Sequence, residues 1–252
     1  MPESKYNLSN AKFGGGFAEG SQTGGTFNDN STNNFINANS DKNLEQKEIN
    51  TADVKTILVL AANPKSTSHL RLDEEVREID AGLQRARKQE AFNLKSNLEF
   101  NLQVRWAVRV RDVSQALLDF NPQIVHFCEH GGGDDGLALE DETGRVQYVS
   151  TAAIAELFEL FSQRNNQNQK NIECAILNAC YSEVQATAIS QYIPYVIGMN
   201  KAIGDKAAIE FVVGFYKALA AGESIDFAYE LGCHSIAMAG ITENITPVLK
   251  VK

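Results

Sequence analysis

The sequence predicts an α/β fold in which helices cover a mainly parallel sheet, and two observations predict it. Short, continuous, β-branched runs such as residues 56–62 (TILVLAA) and 172–179 (IECAILNA) read as strands buried on both faces. Amphipathic stretches of helical period alternate with them from Lys55 onward, which is the pattern of a sheet wrapped by its own crossover helices. With 252 residues and a hydrophobic share of 43%, the chain can bury a sizeable core.

Each element follows in order. Residues 56–62 form a central strand that ends at the turn residues Asn63 and Pro64. A helix is predicted over 70–92, a second strand over 102–110, and a helix over 113–120 that stops at Asn121 and Pro122. Residues 123–130 (QIVHFCEH) read as a third strand running into three glycines. Segments 137–139 and 146–149 flank a turn at 141–144 and suggest a hairpin, after which Ser150 caps a helix through Phe161. Residues 172–179 are the next buried strand. Ser182 and Gln185 fit a capping box at the head of another helix, and 195–199 form a further strand. Two helices close the chain. Ile209, Val212, Tyr216 and Leu219 mark the first at steps of three and four, Gly222 ends it, and Ser224 starts the second.

Composition excludes several functions. A net charge of −9 leaves no extended basic footprint for nucleic-acid phosphates or an anionic membrane. No apolar run is long enough to span a bilayer, and the opening MPESKYNLSN lacks the plan of a signal peptide, so a cytoplasmic location is expected. The four cysteines, Cys128, Cys174, Cys180 and Cys233, are widely spaced and form no C-x-x-C pair, which argues for reduced thiols over disulfides or a zinc finger.

Open α/β sheets bind ligands beyond the carboxyl ends of their strands, so the residues to inspect are those where strands stop. One strand ends in His130-Gly131-Gly132-Gly133 and a later one in Asn178-Ala179-Cys180. If those strands are neighbours, an imidazole meets a thiol at one edge. A helix start just after Cys180 would favour its thiolate, and backbone N–H groups of Gly131 and Cys180 could receive an oxyanion. The glycine lets a substrate backbone approach closely. Cys128 and Cys174, lying inside strands, read instead as small hydrophobes. The spacing adds weight: 50 residues separate His130 from Cys180, and in caspases the histidine lies about 50 residues upstream of the nucleophile. His126, Cys128, His130 and Cys180 could in principle bind zinc, but the first two read as buried in their strand, and no metal or cofactor is expected. An esterase reading of the His-Gly-Gly-Gly string fails for want of a G-x-S-x-G elbow. The acidic run 134–142 lacks EF-hand spacing.

From Ile57 to the C-terminus the residues resemble the CHAT domain, a bacterial branch of the caspase-like peptidases that also include separases. The resemblance rests on ILVLAANP, LRLDEEVREI, VHFCEHGGG, GLALEDETG, AILNACYSEVQA and IGMNKAIGDKAAIEFVVGFYKAL. It implies a three-layer caspase-like sandwich with a mainly parallel central sheet, and a His-Cys dyad peptidase with His130 as base and Cys180 as nucleophile, acting on a protein or peptide as an effector in bacterial signalling or defence. The stretch Gly204-Asp205-Lys206 is similar to the separase segment whose aspartate pairs with a basic P1 side chain, which makes Asp205 the candidate for P1 recognition. The competing reading of Asp205 is an ordinary N-cap. Asp73, Glu74 and Glu75 read as first-turn helix charges. Glu129 departs from the resemblance, since a small residue commonly precedes the histidine. A carboxylate there would raise the pKa of His130 or meet the substrate, and it favours the alternative of a non-catalytic interaction module.

Residues 1–52 stand apart from the domain at 53–252. They are rich in Gly, Asn, Ser and Thr with spaced aromatics, and they have no strand or helix period. They read as a disordered arm, or as a self-assembling segment through which an upstream receptor displaying a like motif would recruit the domain.

Overall fold

A computed structural model describes residues 53–90, 98–164 and 170–252. The N-terminal segment, and with it the assembly reading, lies outside the described residues.

Nine strands and six helices alternate along the described chain. In order they are β1 (Asp53–Ala61), α1 (Leu72–Glu90), β2 (Leu98–Trp106), α2 (Val110–Phe120), β3 (Ile124–Cys128), β4 (His130–Gly131), β5 (Leu137–Glu140), β6 (Val146–Val149), α3 (Thr151–Ser162), β7 (Cys174–Asn178), α4 (Glu183–Ile189), β8 (Tyr195–Met199), α5 (Asp205–Ala220), α6 (Ile225–Met238) and β9 (Pro247–Val251). Six of the strands form one sheet in the order β2-β1-β3-β7-β8-β9. The first five run parallel, and β9 closes the edge antiparallel to β8. Strands β4, β5 and β6 make a small antiparallel sheet of their own.

Alternation along the strands sends side chains to two apolar layers. Ile57, Val59 and Ala61 of β1 pack with α1, α5 and α6, while Leu58 and Leu60 pack with α2 and α3 on the other face. Helices thus cover both faces, as three layers require. A fully buried strand reads as an unbroken apolar run, which is why β1, β3 and β7 stood out in the sequence.

Five expectations change. Strand β2 lies four residues earlier than the alternation suggested; Ala107 adopts a left-handed turn (φ 53°), and Val110 opens α2. The run 123–130 breaks at Glu129 into β3 and β4. Helix α1 spans Leu72–Glu90, and residues 91 and 92 lie outside the described residues. The capping box at Ser182 does not form. The Ser182 hydroxyl donates to the Leu177 carbonyl (2.8 Å) and accepts from the Met199 N–H (3.0 Å), stitching β7 to β8, while the Gln185 amide donates to Gly133 O and Thr151 Oγ1 (2.8 Å each). Finally, the chain closes on β9, a strand that the sequence reading omitted. Ser150 and Ser224 do cap α3 and α6, accepting from Ala153 N and Phe227 N. Among the described residues no helix is long and apolar enough to cross a membrane.

Candidate active site

Strands β3 and β7 are parallel neighbours with Cys128 opposite Asn178. Two residues further along each chain stand His130 and Cys180, so the register alone delivers both to the same rim. Both line one small cleft together with Leu70, Glu75, Glu129, Asn178, Ile203 and Asp205. A larger cavity, of about 690 Å³, opens at the opposite rim between Lys55, Gln123, Glu173 and Pro194, and no histidine or cysteine lines it. Chemistry, not size, selects the smaller cleft.

His130 is half-buried, and its Nε2 lies 2.7 Å from the carbonyl oxygen of Ser68, in the loop after β1. A carbonyl only accepts, so Nε2 carries the hydrogen and Nδ1 is left with a lone pair. Cys180 is half-buried as well, and its Sγ accepts the Ile203 N–H at 3.4 Å. Among the described residues, nothing accepts the Cys180 N–H. Tyr181 follows in the left-handed region at φ 57°, which turns the chain sharply between β7 and α4. Gly131 lies flat against the Cys180 backbone. A Cβ at that position would overlap the Cys180 carbonyl oxygen, so only glycine permits the two strand tips to meet. Asp205 is the first residue of α5, and Gly204 is the N-cap, its N–H donating to Glu243 Oε2 at 2.7 Å. The N-cap reading of Asp205 is therefore corrected. No hydrogen bond or ion pair holds its carboxylate among the described residues.

A buried polar network underlies the cleft. Glu75 Oε1 accepts from Asn178 Nδ2 (2.6 Å), from His126 Nε2 (3.0 Å) and from the Cys128 thiol (3.1 Å), and Tyr216 Oη donates to His126 Nδ1 (2.9 Å). Glu75, His126 and Cys128 stand close enough to share a metal ion. Their atoms instead satisfy one another, and His130 and Cys180 are not in that group, which separates the two pairs that the zinc reading combined. Burial first, and then the Glu75 carboxyl, push the Cys128 thiol well above its ordinary range. Burial does the same to the Cys174 thiol and to the Tyr216 hydroxyl.

Over residues 34–230 the chain matches the family model described as the CHAT domain. The chain belongs to the CHAT domain family. It is similar to a "Probable protease" of Gillisia limnaea, 26% identical over 199 residues that make up 79% of this chain and 32% of that protein. It is also similar to a "Roc-COR-CHAT protease" of an unknown prokaryotic organism, 22% identical over 186 residues, 74% of this chain and 17% of that protein. This CHAT chain therefore spans about a third and about a sixth of the lengths of those two relatives. Among solved structures, the Arg-specific cysteine proteinase gingipain R aligns over 76% of this chain and 43% of its own, at 9% identity and a TM-score of 0.47. Separase in the Saccharomyces cerevisiae separase–securin complex aligns over 80% and 12%, at 15% identity and a TM-score of 0.39.

Two residues of the CHAT cleft differ from their sequence reading. Glu75 is no surface charge of the first helical turn; it is 5% exposed and organises the network beneath the cleft. The signal was present, because Glu75 shares the apolar stripe of Leu72, Val76 and Ile79 at helical spacing, where a carboxyl must be buried with partners. Glu129 is no exposed charge beside His130 either. It is 2% exposed, and burial alone pushes its carboxyl well above the ordinary range, which favours the protonated form.

Proposed function

We propose that this CHAT domain is a cysteine endopeptidase, with His130 as general base, Cys180 as nucleophile and Asp205 favouring a basic residue at P1. The observation that carries the reading is a thiol and an imidazole, 50 residues apart in sequence, sharing one cleft beside a backbone N–H that nothing accepts. The two relatives named as proteases support it.

In this mechanism the Cys180 proton passes to His130 Nδ1, and the sulfur attacks the scissile carbonyl carbon. The carbonyl π-bond becomes the oxyanion, received by the N–H groups of Cys180 and Gly131. As the tetrahedral intermediate collapses, the C–N bond breaks and the amine leaves with the proton from His130. Water then gives a proton to His130 and its oxygen to the acyl carbon, the C–S bond breaks, and the sulfur recovers its proton. The Ser68 carbonyl keeps the ring in the tautomer this exchange needs. Asp205, an unpaired carboxylate at the cleft, offers a charge partner to Arg or Lys at P1.

Within a cell the domain would be an effector in bacterial signalling or defence, cutting a protein target. The segment at 1–52 would be its link to an upstream receptor. A panel of fluorogenic peptides varied at P1 tests the chemistry. Turnover after Arg or Lys is expected, falling roughly a thousandfold or more in Cys180→Ala and in His130→Ala. Turnover that persists in Cys180→Ala rejects the dyad, and cleavage only after acidic or apolar residues rejects the role of Asp205.

A further inference from the structure

Glu129 has a place in the cleft that the dyad mechanism does not use. Its carboxyl is almost fully buried, and neither Oε1 nor Oε2 meets a hydrogen-bond partner. Burying such a group unpaired costs free energy that a methionine of similar volume would avoid, so the empty cleft carries a liability at this residue. Asn178, one register step away on β7, repeats the pattern. Its Nδ2 is committed to Glu75, and its buried Oδ1 is left without a donor.

Both residues line the cleft, and with the unpaired carboxylate of Asp205 they make its lining rich in acceptors and poor in donors. Arg71, just ahead of α1, is the one cation among the lining residues, and its guanidinium is turned to Glu74 in the first turn of that helix. The cleft's volume of about 40 Å³ is a few times the roughly 10–15 Å³ that one water needs. That room suits a small planar head. A guanidinium brings five N–H donors in a rigid plane and spreads its charge, whereas an ammonium brings three donors and holds its hydration more tightly.

We propose that Glu129 and Asn178 form the inner wall of the P1 subsite and make it selective for a guanidinium over an ammonium head; this rests on the basic-P1 reading and extends it. When the cation enters, the Glu129 carboxyl gives its proton to solvent and the resulting carboxylate accepts from the guanidinium. Binding is therefore coupled to release of one proton. The other ionisable groups around the cleft are Arg71 just before α1, Glu75 from α1, His130 from β4, Cys180 after β7, and Asp205 from α5.

The test uses the full chain carrying Cys180→Ala, so that nothing turns over, with butylguanidinium and butylammonium as probes. Calorimetry in buffers of different ionisation heat reads both affinity and proton release. At neutral pH, butylguanidinium is expected to bind at least about tenfold tighter than butylammonium and to release close to one proton. Adding Glu129→Gln should weaken it about tenfold or more and abolish the release. Equal affinity for the two probes, binding without proton release in the Cys180→Ala parent, or no binding of either overturns the inference. The parent measurement decides this even if the double variant folds poorly. Binding that Asp205→Asn abolishes and Glu129→Gln leaves unchanged would sink this inference while the basic-P1 reading stands. Proton-coupled guanidinium binding in a chain that cleaves no Arg peptide would do the reverse to the peptidase reading.

Discussion

At the scale of single residues, what separates His130 from Glu129 is burial and partnership. His130 has a fixed acceptor in the Ser68 carbonyl; Glu129, its neighbour in sequence, has no hydrogen-bond partner for its carboxyl among the described residues, and burial favours its protonated form. The unfolded chain would lose that proton above about pH 4.3 while the folded chain retains it. The folded state therefore binds more protons in that window. The associated stability is full below the unfolded value and is lost as pH rises through the raised folded value. Glu129→Gln keeps the shape and removes the titration. Its thermal midpoint should exceed the wild-type midpoint at about pH 8, with the gap closing near pH 4, as read by melting curves across that range. A constant gap would mean that Glu129 does not titrate as its burial requires. Of these residues, His130 and Cys180 were legible because a strand end followed by glycines, or by a helix start, is a local pattern. Glu129 was not, since whether a carboxyl is buried depends on what another element places over it; the apolar stripe of α1 hinted at the burial of Glu75 but not at the partners that other elements bring to it.

At the scale of elements, glycine sets how closely α5 and α6 pack. A Cβ at Gly214 would run into Ser235 Oγ and the Leu231 carbonyl, and one at Gly232 into the Phe211 ring. Gly214→Leu should cost about 1–3 kcal/mol of stability through overpacking, seen as a lower urea midpoint with an unchanged slope. Because α5 also begins with Asp205, the same variant should disturb P1 recognition more than Cys180 alkylation by iodoacetamide. Elements with an unbroken apolar run were legible, and β8 coincides with its expected bounds, Tyr195–Met199. The misplaced β2 has a physical cause. Alternation continues through Val108 and Val110, so the period could not mark where the left-handed turn at Ala107 stops the strand. At Ser182 the capping pattern was present, but its hydroxyl found better-placed partners across two strands.

Over the whole molecule, the net charge of −9 gives a field that attracts cationic peptides. For an Arg-containing substrate, kcat/KM should fall several-fold as salt rises from about 0.05 M to about 0.5 M, mainly through KM, because the Debye length shrinks well below the dimensions of the domain and screens its long-range field. Steady-state kinetics at several salt concentrations check this, with a neutral-P1 peptide as control. A flat response would confine the electrostatics to direct contacts inside the cleft.

Taken alone, the chain's sequence determined the α/β class, the order of most elements, and two strand ends rich in catalytic residue types. These follow from periodicity, turn residues and composition, which are properties of neighbours along the chain. Tertiary structure decided that β3 and β7 lie side by side, that Gly131 must be glycine to meet the Cys180 backbone, and that Glu75 and Glu129 turn inward. Strand order and burial are set by packing between residues far apart in sequence, and no local pattern carries that information.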